Sequence, residues 1–140
     1  MPTVTILSPT KVYPNPVRLM RNDQTIMWQL APGLRWGTVP VPLEFLPGDG
    51  TSPTGVPYSN WPGTNPTPIP NGDPPALRPY WASGNSPMPE GQTEWYHYAM
   101  LVEQMDEQGN WSEAIRVQVQ REYDPTGAWH DPDVVNDPRP

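Results

Sequence analysis

The sequence predicts an all-β fold, an antiparallel β-sandwich of about six to eight strands, Ig-like in general shape and carrying a long Pro-rich insertion. Three observations lead there. Residues 114–120 alternate with period two: Ile115, Val117 and Val119 face one way and Arg116, Gln118 and Gln120 the other, which describes a strand with one wet face. Residues 95–103 are apolar on both sides, with Tyr96, Tyr98, Met100 and Val102 opposed to Trp95, His97, Ala99 and Leu101, the signature of a central strand or one whose second face is partly covered. Finally, 23 prolines among 140 residues leave few windows long enough for a helix, because proline lacks the amide donor and collides with the preceding turn.

The remaining elements follow from the same signals. Residues 106–110, Asp-Glu-Gln-Gly-Asn, carry turn chemistry that joins the two runs above into a hairpin. In residues 25–30, Ile26, Trp28 and Leu30 alternate with Thr25, Met27 and Gln29; this is a further strand, with Trp28 in the core. Shorter strands are expected at residues 3–7, 17–20 and 40–46, the last an edge strand because Pro40 and Pro42 interrupt it. The link Arg21-Asn22-Asp23-Gln24 predicts a tight turn and a second hairpin spanning residues 17–30.

One domain accounts for residues 1–140, at the usual domain size of roughly 100–150 residues. Within it, residues 47–89 hold 12 of the 23 prolines. Their large aromatic and aliphatic side chains, Tyr58, Trp61, Ile69, Leu77, Tyr80 and Trp81, speak for extended chain packed over the domain, since disordered linkers are poor in such residues. Residues 124–140 form an Asp/Pro-rich C-terminal tail in which Asp-Pro occurs three times, a turn former that blocks helix. A short strand is conceivable there only at Val134-Val135.

Composition excludes several functions. With no cysteine, disulfides, thiolate nucleophiles, Cys-ligated zinc and iron–sulfur clusters are out. A net charge of −7, with Lys11, Arg18, Arg21, Arg35, Arg78, Arg116, Arg121 and Arg139 scattered, argues against nucleic acid and anionic membrane surfaces as partners. The first residues lack a basic n-region and an apolar h-region, and no run approaches the roughly 20 apolar residues of a membrane span; the expectation is a soluble chain, cytoplasmic by default.

Three constellations bear on chemistry. Asp124, His130, Asp131, Asp133 and Asp137 lie within 14 residues and supply oxygen and nitrogen donors, the carboxylates being of the kind calcium prefers, but the glycine and terminal glutamate of an EF-hand are missing and Asp-Pro is already explained by turns. No metal or other cofactor is therefore expected. His97 and His130 are the only histidines, and no nucleophile elbow, phosphate loop or His-Glu-x-x-His accompanies them; no catalytic residues are assigned and the chain is read as a non-enzyme. Outside these constellations, Asn110-Trp111-Ser112 matches a glycosylation acceptor, read as chance without a signal peptide. Loop aromatics are the third: Trp36, Trp61, Trp81, Trp111 and Trp129 lie in or next to turns, where flat side chains either seal the insertion against the core or contact partners. The candidates for partner or glycan contact are Tyr58, Trp61, Tyr80, Trp81 and Trp129.

Residues 26–30 (Ile-Met-Trp-Gln-Leu), residues 58–64 (Tyr-Ser-Asn-Trp-Pro-Gly-Thr) and the Asp/Pro-rich end after a Tyr-rich strand resemble short, uncharacterised bacterial β-sandwich proteins. The resemblance implies a small β fold and carries no activity. The expected function is a protein-interaction or structural module, self-assembling through edge strands and extended Pro-rich segments. A carbohydrate-binding module using loop tryptophans is the alternative.

Overall fold

The computed structural model describes residues 2–19, 25–37, 43–61, 67–68, 80–83, 93–121 and 124–136. Among these the chain is all-β. No helix is present, so none is long and apolar enough to cross a membrane. One sheet of five strands runs in the order β2 (Lys11–Tyr13), β1 (Thr3–Ser8), β4 (Thr25–Leu30), β8 (Tyr80–Ser83), β7 (Thr67–Pro68). A second, of six strands, is organised on β9 (Glu94–Gln104), with β13 (Asp133–Asn136), β10 (Ile115–Arg116), β5 (Leu34–Trp36) and β6 (Leu43–Phe45) all paired to it and β3 (Val17–Leu19) beyond β13. A two-stranded ribbon, β11 (Val119–Gln120) with β12 (Trp129–His130), completes the set.

β9 owes its central place to its side chains. Tyr96, Tyr98, Met100 and Val102 are buried in the main core, and Trp95 lies in a second cluster with Tyr58 and Val135. Its backbone is claimed on both edges. The odd-numbered residues serve β5, β6 and the flanking chain: the carbonyls of Trp95, His97 and Leu101 accept from the amides of Ser59, Leu46 and Gly37. The even-numbered ones serve β13 and β10, with the Tyr98 amide donating to Pro132 and the Met100 carbonyl accepting from Val117. Buried backbone groups must be paired somewhere, and β9 pairs them along its length.

The expected hairpin after β9 is present. Ile115 lies opposite Val102 and Arg116 opposite Leu101, Met105 bridges to Trp111, and Gly109 adopts φ +84° at the turn. The second run does not stay on β9, however. Beyond Val117 the Gln118 amide donates to Pro9, and Val119 and Gln120 pair with His130 and Trp129 instead. Val117 and Val119 remain buried in the core while Arg116 and Gln120 are exposed, so the alternation holds although the pairing partner changes.

Two expectations are corrected. No hairpin joins residues 17–19 to 25–30, because β3 pairs with β13 in one sheet and β4 with β1 and β8 in the other; the intervening residues lie outside those described. Nor are the sheets purely antiparallel. β1 with β4, and β3 with β13, run parallel, and both pairs arise because the chain visits the opposite sheet before returning, the crossover that parallel pairing requires. Residues 3–8 and 17–19 form strands as anticipated, and β6 occupies part of the run interrupted by Pro40 and Pro42. Of residues 47–89, the described parts are 47–61, β7 and β8; the rest of that insertion falls outside. The stretch read as a tail supplies β12 and β13, and β13 is buried throughout and paired on both edges.

The main core draws on both large sheets, with Val4, Ile6, Ile26, Trp28 and Leu30 from one and Leu43, Phe45, Tyr98, Met100 and Val134 from the other. Trp28, fully buried, sets its ring edge-on to Tyr98 at 5.4 Å and to Phe45 at 6.0 Å, an arrangement aromatic quadrupoles favour. Its Nε1 and the Tyr98 hydroxyl are both buried without a hydrogen-bond partner among the described residues. Burial accordingly pushes the Tyr98 hydroxyl far above its ordinary range, with the Trp28 indole opposing the shift and Asp133 adding to it. Trp28→Ala is expected to cost about 3–5 kcal/mol of unfolding free energy through the cavity it leaves. Urea titration of this variant against the parent checks the value.

Candidate functional site

The loop from Pro47 to Trp61 is shaped by its glycines. A side chain at Gly48 would place its Cβ 2.8 Å from the Tyr58 carbonyl, and Gly50 adopts φ +87°. Thr51 bridges to Pro57, and the Tyr58 amide donates to Gly50. Tyr58 is thereby turned inward, where its ring stacks on His97 at 3.8 Å and 3° and its hydroxyl donates to Asp133 Oδ1 at 2.5 Å.

Strand register explains why these groups meet. β9 and β13 pair with His97 opposite Asp133, so one β9 histidine and one buried carboxylate are brought side by side from residues far apart in sequence. Arg121, just after β11, donates from Nη2 to the Tyr58 hydroxyl at 2.7 Å and to the Thr51 carbonyl at 3.3 Å. His97 Nε2 lies 2.9 Å from the Pro47 carbonyl; a carbonyl only accepts, so this nitrogen carries the proton. On β12, His130 stands 3.5 Å from Asp124, whose carboxyl is held below its ordinary value chiefly by the Thr126 hydroxyl and amide. Asp131 is engaged at both oxygens by Arg116, at 2.9 and 2.7 Å.

Together Asp49, Tyr58, His97, Gln118, Arg121, Trp129, His130 and Asp131 line a cleft of about 320 Å³. A neighbouring cleft of about 430 Å³ is bordered by Lys11, Val12, Asn15, Val119 and Gln120. Trp129 borders both. A larger cleft of about 480 Å³, lined by Pro16, Val56, Trp95 and Val135 among others, offers mostly apolar surface.

Of the five aromatics singled out in the sequence, Tyr58 and Trp129 are brought to one cleft, the first buried and the second half exposed. Trp61 is elsewhere: it stacks on Phe45 at 4.0 Å and meets Tyr96 edge-on at 5.1 Å, packed against the main core. Tyr80 and Trp81 belong to β8; their side chains lie outside the described part. Trp36 also packs on the core, and Trp111 lies under the Arg35 guanidinium at 4.3 Å. Of the five donors proposed from sequence for calcium, Asp137 is outside the described residues and the other four are engaged as described above, with no cluster of three or more metal-binding side chains among the described residues. Arg121, Gln118 and Asp49 carry no sequence signal of their own; only the pairing of β13 with β9 could have pointed to the convergence.

Comparison with protein-family models, with curated proteins and with solved structures finds no match for the chain.

Asp133 is the electrostatic weak point. Burial raises its carboxyl above the ordinary 3.8, and the Tyr58 hydroxyl, Arg121 and the two histidines offset this only in part. A carboxyl raised in the folded state binds its proton more tightly there than in the unfolded chain. Its contribution to stability is therefore complete below the unfolded value and is lost as pH rises through the folded one. Asp133→Asn retains an acceptor for Tyr58 without the charge. The variant's stability relative to the parent should rise as pH increases above the ordinary carboxylate value, measured by urea titration at several pH values.

Proposed function

We propose that the chain is a non-enzymatic interaction module, a β-sandwich of Ig-like general shape whose partner is a protein, a further copy of itself included. The mixed membership of the core, with side chains of both large sheets in one cluster, supports the two-layer reading. One observation carries the functional reading: β2, at the margin of the five-stranded sheet, pairs among the described residues only with β1, and it presents Tyr13 at 70% exposure.

An unpaired strand edge is a template for another strand, and soluble proteins ordinarily shield such edges. Lys11 on β2 is one such shield. Tyr13 works in the opposite sense, since a rigid, exposed aromatic at an edge gives a docking partner contact area at little entropic cost. Strand addition would supply main-chain hydrogen bonds, and the neighbouring cleft along Lys11 and Val12 would receive alternate side chains of the added strand.

Sedimentation velocity across micromolar concentrations tests this reading. Self-association is expected for the parent chain, weakened at least about tenfold by Tyr13→Lys, which adds a second edge lysine without touching the core. A species that stays monomeric up to about 100 μM, or assembly indifferent to Tyr13→Lys, contradicts it.

A further inference from the structure

We infer that the cleft between Trp129 and the Tyr58–His97 pair is a binding site for a neutral saccharide unit, separate from the β2 edge. Trp129 is the first reason. Trp28, Trp36, Trp61 and Trp95 all lie in or against the packed clusters, whereas Trp129, on the two-stranded ribbon, is 50% exposed. An indole held half open beside a cavity offers a flat, electron-rich face. The C–H groups of a pyranose ring carry the complementary partial charge.

The hydrogen-bonding inventory is the second reason. Several lining groups are already committed: the Tyr58 hydroxyl to Asp133 and Arg121, Asp131 to Arg116, and Arg121 Nη2 to Tyr58 and Thr51. Asp49 and the Gln118 side chain, both lining the cleft, make no side-chain bond among the described residues, and the His97 proton on Nε2 leaves Nδ1 as an acceptor in the neutral ring. The uncommitted groups are thus of both kinds: acceptors on Asp49 and His97, the Gln118 amide that serves both ways, and the Arg121 Nε–H, a donor without a partner among the described residues. A ligand rich in hydroxyls, each of which both donates and accepts, satisfies them.

Charge and size narrow the class further. An anionic ligand would face the carboxylates of Asp49 and Asp131, and the Arg121 Nη2 that could oppose them is held by the Tyr58 hydroxyl and the Thr51 carbonyl. A quaternary ammonium is ordinarily held by a cage of several aromatic faces; here the Tyr58 ring is covered by His97 and only Trp129 is open. The volume of about 320 Å³ sits at the low end of small-molecule sites, roughly 300–1,000 Å³.

The test is titration of the full chain with cellotetraose, xylotetraose, mannotetraose, maltotetraose and chitotetraose, followed by intrinsic fluorescence and calorimetry, with choline and galacturonate as charged controls. At least one neutral tetrasaccharide should bind saturably with a millimolar or tighter dissociation constant. Trp129→Ala, at a half-exposed position, should weaken that binding more than about tenfold, and Gln118→Ala and Asp49→Asn severalfold, with unchanged thermal melts. Tyr13→Lys should leave it untouched, which separates this site from the β2 edge. Absence of binding by all five sugars at about 10 mM, binding indifferent to Trp129→Ala, or a response to choline or galacturonate alone overturns the inference.

Discussion

Everything in this molecule is hung on one strand whose two faces and two edges are all in use. β9 gives Tyr96, Tyr98, Met100 and Val102 to the main core and Trp95 to a second cluster, while its amides and carbonyls are divided by parity between β5 and β6 on one side and β13 and β10 on the other. A strand of this kind cannot slip by one residue, because the slip would exchange the two faces and misplace every hydrogen bond together. Glu103 shows the same constraint at the far end. Its buried carboxylate is tolerated because register sets Arg35 opposite it, at 2.6 Å.

The polar cleft is a consequence of that register. His97 points to the face of β9 away from the main core, and the pairing with β13 delivers Asp133 beside it. The loop carrying Tyr58 then covers both, tied by the Ser59 amide to the Trp95 carbonyl. A buried carboxylate that keeps its charge costs far more than an exposed one, so the Tyr58 and Arg121 contacts offset a penalty rather than adding net stability. Conservation of volume around such a network matters less than keeping every partner, and this fixes the cleft's geometry more firmly than its exposed ribbon would suggest.

The strands were legible in the sequence wherever alternation or a run apolar on both faces lasted six residues or more, as in β9, β4 and the residues after the Gly109 turn. Trp28 was legible as core for the same reason: it alternates with Ile26 and Leu30. What could not be read was which strands pair. Local turn chemistry at residues 21–24 suggested a hairpin, yet β4 has both edges occupied by β1 and β8, and long-range pairing outweighed the local signal. β13 was legible only as a short strand at Val134-Val135, because four residues flanked by Asp-Pro and Asn-Asp-Pro give so short a pattern, although all four are buried. The candidate site depends on that strand's pairing, which no local signal gives: Tyr58 and Trp129 stood out as aromatics, but the meeting of Arg121 and Asp133 with His97 depends on β13 lying against β9. Trp61, chosen on the same grounds as Trp129, packs on Phe45 instead, since a tryptophan's sequence context does not say which way its ring turns.

Residue-resolved hydrogen exchange measures the role of β9 most directly. Amides of Tyr96, Tyr98, Leu101 and Val102 should exchange only through global unfolding and be the slowest in the chain, while those of β2 and of the β11–β12 ribbon open at lower free energy. If the β9 amides exchange as quickly as those of β2 under conditions where the protein stays folded, the strand is not the element on which the two sheets depend.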